Sequence, residues 1–158
     1  MNNRLSVRAS CQTVMTTEWR RKTRLNEPVR VPPVDALSVV NFPTEAALLA
    51  DVEKQLMAGK GFAIATLNLD HVVKMRRNPA FLRAYLAHTH VVADGNPIVW
   101  LSRLAGRSEV SLVPGSELIA PMAALAARLG TPIAFLGSTE PVLAMAAERL
   151  TADYRGLQ

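Results

Sequence analysis

Cysteine is nearly missing from this chain: Cys11 is the only one in 158 residues. That excludes an intramolecular disulfide and a cysteine-based zinc site. Aromatic residues make up only 5% of the sequence, so Ala, Leu and Val must do most of the packing. No apolar run reaches the roughly 18 residues of a membrane span, because Arg128 interrupts the longest stretch, 119–135. Glycine is missing before residue 59, and all eight glycines lie beyond residue 58, where the turns of a folded domain are expected. Neither G-x-G-x-x-G nor G-x-x-x-x-G-K-S/T occurs, so nothing supports NAD or ATP binding.

What is present is unevenly placed. The net charge is +5, yet residues 1–30 hold seven Lys/Arg against two acids, while the remainder is balanced at eleven and eleven. Residues 1–30 also show no sustained periodicity and read as a basic, disordered tail, followed by an α/β domain over 31–158. The tail lacks the apolar core of a secretory signal. It suits anionic lipid or RNA, or is simply a solvated extension. The neutral body argues against nucleic acid as a partner.

Beyond Pro32 and Pro33 the pattern becomes regular. Thr44 is a good N-cap, and Leu48, Leu49, Val52 and Leu56 recur at helical spacing up to Gly59. Residues 61–67 read as a strand buried on both faces, 70–77 as a short helix, and Asn78-Pro79 as the cap and first residue of the next. Phe81, Leu82, Tyr85 and Leu86 form that helix's expected buried face. Residues 90–93 are the second strand, Asn96-Pro97 repeats the cap-plus-proline signal, and 98–104 continue as a helix. A helix to Leu129 follows Gly115-Ser116, its start delayed or kinked by Pro121. A third strand is expected at 132–136 and a last helix at 140–152. Strands and helices alternating across short turns predict an α/β, Rossmann-like layered fold with a mostly parallel sheet. About three strands make a small sheet with open edges, which reads as incomplete and suits self-association as a homo-oligomer.

The chemistry concentrates in two loops. Thr66 and Asn68 follow the first strand, Asp94-Gly95 follows the second, and 28 positions separate Thr66 from Asp94. Parallel neighbouring strands would deliver both loops to one sheet edge, about 5 Å apart, where open α/β sheets bind ligands. An exposed Asp there can take a proton from a hydroxyl as a general base. On residue type alone the alternative is favoured, a turn Asp capping the amides of residues 96–98. Thr66 and Asn68 suit sugar hydroxyls or a diphosphate, or else cap the helix that begins near Asp70. Gly115-Ser116 and Gly137-Ser138 suit phosphate through backbone amides, and ordinary helix starts explain them equally well. His88 and His90 read as structural histidines. His71 stands apart because it lies beside the Thr66/Asn68 loop.

Taken in order, T-x-N-x-D-H, A-D-G-x-P-x-V-W, V-x-G-S-E-L and F-L-G-S resemble the WecG/TagA/CpsF family of bacterial glycosyltransferases from about residue 34 to the last. The resemblance implies inverting transfer of a sugar from a UDP-sugar to an undecaprenyl-diphosphate-linked sugar in cell-surface polysaccharide synthesis. The setting it implies is peripheral, on the cytoplasmic face of the membrane. Asp94 then corresponds to the base and Thr66 to the pocket threonine. Asn68, Gly95, Asn96, Gly115, Ser116 and Gly137 shape the donor pocket. No cofactor and no metal are implied, since Asp94 lacks the second acid of a D-x-D site. Two departures accompany the resemblance: Leu112 stands where members often carry arginine, and further strands and a C-terminal segment are expected beyond Gln158. The rival reading is a non-catalytic chain that binds nucleotide-sugar or a partner.

Overall fold

The computed structural model describes residues 36–158, so the basic segment 1–30, with Cys11, lies outside the described residues. Among the described residues there are six helices and two strands, in the order α1 (Glu45–Met57), β1 (Ile64–Leu67), α2 (Leu69–Arg77), α3 (Pro79–Leu86), β2 (His90–Ala93), α4 (Asn96–Leu104), α5 (Ile119–Leu129) and α6 (Glu140–Asp153). The caps follow local chemistry. Thr44 accepts from the Ala47 amide and opens α1; Asn78 accepts from Ala80 and Phe81 and opens α3 ahead of Pro79. Pro121 is the third residue of α5, where a missing N–H costs no helical hydrogen bond. Gly130 ends that helix in the left-handed conformation.

β1 and β2 pair in parallel, with Thr66 opposite Val92 and Leu67 opposite Ala93. The pairing runs one step further, since the Asp94 amide donates to the Leu67 carbonyl at 2.7 Å. On its other side β2 is lined by irregular chain. Asn41 and Phe42 donate to the Val91 carbonyl, Asn41 Oδ1 accepts from the Val91 amide, and Val113 donates to the Ala93 carbonyl. Both edges of β2 are therefore satisfied, and all four of its residues are buried. Leu48 and Val52 of α1 and Leu125 of α5 meet Val92, Val113 and Leu118 in one apolar cluster. Each fully buried Leu or Val contributes about 1.5–3 kcal/mol relative to an exposed one.

Three expectations need correction. The segment 132–136 forms no strand: the Ile133 amide donates to the Gln158 carbonyl, and Phe135 and Leu136 are exposed. Pro132 offers no amide to a ladder, and the outer edge of β1, which a third strand would join, is occupied at Thr66 by side chains described below. Nor is β1 buried on both faces; only Leu67 is fully enclosed. Leu86 lies exposed rather than on the buried face of α3, because Leu82 and Tyr85 alone point inward.

At the start of the strands sits a polar knot. His90, 3% exposed, lies 2.9 Å through Nε2 from the Asp51 carboxylate and 2.7 Å through Nδ1 from Thr89 Oγ1. Its ring stacks on Phe42 at 4.4 Å. Hydrogen bonds from Gln55 and His90, opposed by some desolvation, hold the Asp51 carboxyl below its ordinary value of 3.8. A depressed carboxyl stabilises the fold above its unfolded-state value, and the contribution disappears as pH falls through the folded-state value. Urea titrations should therefore find Asp51→Asn less stable than wild type at pH 6, with the difference shrinking below about pH 4. A gap that stays constant across this range would contradict the assignment.

Candidate active site

At the opposite end of the strands the two loops emerge side by side. In a parallel ladder alternate backbone groups face opposite edges. The Leu67 carbonyl turns toward β2 and accepts from Asp94, so the Thr66 carbonyl turns outward. Two side chains meet it there: the Tyr85 hydroxyl donates at 2.6 Å, and His71 Nδ1 lies at 3.1 Å. The Thr66 hydroxyl is partly exposed and makes no hydrogen bond among the described residues.

Gly115 comes from the third motif and is drawn in against Thr66. A Cβ placed on it would stand 3.3 Å from Thr66 Cγ2 and 3.5 Å from Oγ1, so a side chain there would require Thr66 to give by a few tenths of an ångström. Ser116 follows on the exposed turn before α5. Asn68 is the N-cap of α2, and its Oδ1 accepts from the His71 amide at 3.0 Å. The capping alternative thus holds for this residue's oxygen, while its amide nitrogen makes no hydrogen bond among the described residues.

For Asp94 the capping alternative fails. The N-cap of α4 is Gly95, at φ +89° and ψ 137°, and no side chain caps that helix. Asn96 is the first helical residue, not the cap, and it is exposed. The Asp94 carboxylate is half-buried and makes no hydrogen bond or ion pair with any described residue. Its charge is felt at Tyr85, whose phenol is pushed up to about 12, chiefly by burial and further by Asp94. Tyr85 is therefore neutral, and a donor, across the physiological range.

Thr66, Asn68, Asp94, Gly95 and Gly115 thus gather at the strand ends. Gly137 is exposed at φ +108°, with nothing within 4 Å of where a Cβ would stand. A separate depression lined by Ala127, Arg128, Asp153 and Tyr154 includes none of these residues. Sequence reasoning placed Tyr85 in the core and missed its hydroxyl. The available signal was a tyrosine, rather than phenylalanine, at a buried helix position, because such a hydroxyl needs a partner.

A model of the glycosyl transferase WecG/TagA/CpsF family matches residues 33–158. The chain belongs to this family of glycosyltransferases. No curated protein and no solved structure matches it. The matched span contains the whole cluster just described, together with α6. No helix among the described residues of this family member is long and apolar enough to cross a membrane.

The conformation at Gly95 is one that side chains rarely adopt, and forcing it costs about 1–3 kcal/mol. Chemical denaturation should show Gly95→Ala destabilised by an amount in that range. Gly61→Ala, with ordinary φ and open space around the new methyl, should stay within about 0.5 kcal/mol of wild type.

Proposed function

We propose that this chain transfers a sugar from a UDP-sugar to a sugar hydroxyl on an undecaprenyl-diphosphate carrier, with inversion, in cell-surface polysaccharide synthesis. The observation that carries the reading is a half-buried Asp94 carboxylate without a hydrogen-bond or ion-pair partner among the described residues, beside a Thr66 hydroxyl equally uncommitted. Fully buried polar groups ordinarily find partners inside the fold, whereas partly exposed ones stay available to water or to a ligand. Two neighbouring groups left without them at a parallel strand end suit a ligand rich in hydroxyls.

In this mechanism Asp94 accepts the proton of the acceptor hydroxyl as that oxygen forms a bond to the anomeric carbon. The bond from the anomeric carbon to the diphosphate oxygen breaks, and UDP leaves with the electron pair. Attack opposite the leaving group inverts the centre. Thr66 Oγ1 and the Asn68 amide hold sugar hydroxyls or diphosphate oxygens. Gly95 and Gly115 keep their loops free of side chains, and Asn96 and Ser116 border the pocket. Gly137 shapes the donor side of the pocket.

The lipid character of the acceptor is supported by α4, which starts directly behind Asp94-Gly95. Its inner face buries Ile98, Val99 and Ser102, while Trp100, Leu101 and Leu104 are 60%, 41% and 85% exposed. At 100° per residue those three share one outward stripe, with Arg103 at its margin. Tryptophan and leucine beside arginine suit the interface of an anionic bilayer, which would put Asp94 near carrier lipids on the cytoplasmic face.

Two measurements test the reading. With labelled UDP-sugars and a short-chain polyprenyl-diphosphate-GlcNAc acceptor, Asp94→Asn should lose about 10²–10⁴-fold in kcat at unchanged melting temperature. Full activity in that variant would sink the base assignment. Replacing Trp100 and Leu104 together by serine should weaken co-sedimentation with phosphatidylglycerol vesicles about tenfold or more, given the apolar area removed. Unchanged sedimentation would remove the membrane role of α4.

A further inference from the structure

The group that meets the Thr66 carbonyl is more elaborate than satisfying one acceptor requires. A carbonyl only accepts, so Tyr85 must direct its single proton to Thr66 along the 2.6 Å contact. His71 Nδ1 lies 3.1 Å from the same carbonyl and 3.2 Å from the Tyr85 oxygen. With the Tyr85 proton already directed, both contacts need the proton on His71 Nδ1, shared between two oxygens. The neutral ring is thereby fixed in one tautomer, with Nε2 as its only acceptor. The rings of Phe81 and Tyr85 pack at 5.6 Å from the His71 ring, at 56° and 61° to it, and hold its plane.

Both donors belong to the α2–α3 hairpin. His71 stands one turn into α2, whose N-cap is Asn68; Tyr85 is buried on α3, which Asn78 caps. The closed ring of three groups therefore ties the hairpin to the last residues of β1. The Thr66 side chain lies against Gly115, and the next carbonyl, that of Leu67, receives the Asp94 amide. Holding the Thr66 carbonyl fixes the peptide plane between Thr66 and Leu67, which joins the Cα that bears the Thr66 side chain to the residue whose carbonyl carries Asp94.

We propose that His71 and Tyr85 are positioning residues of the transfer site, acting through the Thr66 carbonyl on the relative placement of Thr66 and Asp94. This rests on the glycosyltransfer reading given above. Neither residue needs to touch substrate. The clamp is independent of His71 charge, because Nδ1 carries its proton in the neutral and the cationic ring alike.

The test uses Tyr85→Phe, His71→Leu and His71→Asn in the full chain. The asparagine side-chain nitrogen stands close to where Nδ1 stood and still donates. In transfer assays Tyr85→Phe and His71→Leu should lose about tenfold in kcat, the factor that one hydrogen bond of ordinary strength supports. Their KM for the UDP-sugar should stay within about twofold of wild type, and His71→Asn should recover most of the loss. A second readout needs no substrate. The Asp94 amide should exchange with solvent about tenfold faster in Tyr85→Phe, while that of Val52 in α1 keeps its wild-type rate.

Losses of activity that merely follow the folded fraction would overturn the proposal. So would a rise in KM at constant kcat, or failure of His71→Asn to recover what His71→Leu loses. Unchanged exchange at Asp94 would show that the clamp does not hold this bond. A wild-type chain that transfers nothing would overturn the glycosyltransfer reading, and the positioning role with it. The exchange rates would then show separately whether the clamp exists.

Discussion

The parallel pairing of two four-residue strands is the constraint on which the rest of this structure depends, and its last bond matters most. A sheet of two short strands has little intrinsic stability. Here β2 is reinforced from its far side by Asn41, Phe42 and Val113, and covered by α1 and α5. The Asp94 amide on the Leu67 carbonyl then carries the ladder past the last strand residue into the loops. Without that bond the two chain segments could diverge as soon as the strands end. With it, residues 28 positions apart in sequence leave the sheet in register.

The two ends of this short sheet differ in how completely their polar groups are matched. At the start, His90 has both ring nitrogens engaged, by Asp51 and Thr89, and Thr89 also meets both backbone groups of Ala63. That end binds α1 to both strands, and its polar side chains are matched within the fold. At the far end the Thr66 hydroxyl, the Asn68 amide nitrogen and the Asp94 carboxylate have no hydrogen-bond partner among the described residues. None of these atoms is fully buried, so water can meet them until a ligand does. The end whose polar groups are left uncommitted is the end where a ligand can engage them, which is the physical case for reading it as the site.

Much of this was legible because it is local. Thr44 and Asn78 cap helices through their own side chains, and β2 is announced by a run of apolar residues between turn signals. The convergence of T-x-N and D-G followed from parallel order alone. What escaped was set by contacts distant in sequence. Whether 132–136 becomes a strand depends on a free edge to join, and two side chains from α2 and α3 stand at that edge. The cap of α4 was misassigned because asparagine before proline is a good cap in general. Gly95 at positive φ takes the position one residue earlier and leaves Asp94 outside the helix. Tyr85 looked like packing because period and polarity cannot reveal where a single hydroxyl ends.

The same distinction bears on how far the motifs act together. Three of the four meet at the strand ends: T-x-N and A-D-G through the ladder, and V-x-G-S through the contact of Gly115 with Thr66. That contact is not replaceable by alanine without movement, because the methyl would press on a residue already held by its carbonyl. The third loop is thus located by the first, and the first by the α2–α3 hairpin. The fourth motif has no such chain of contacts. Gly137 follows a segment whose backbone is tied to Gln158 rather than to the sheet, and α6 behind it has no buried residue. The first three loops, by contrast, are already held to one another by contacts within the fold.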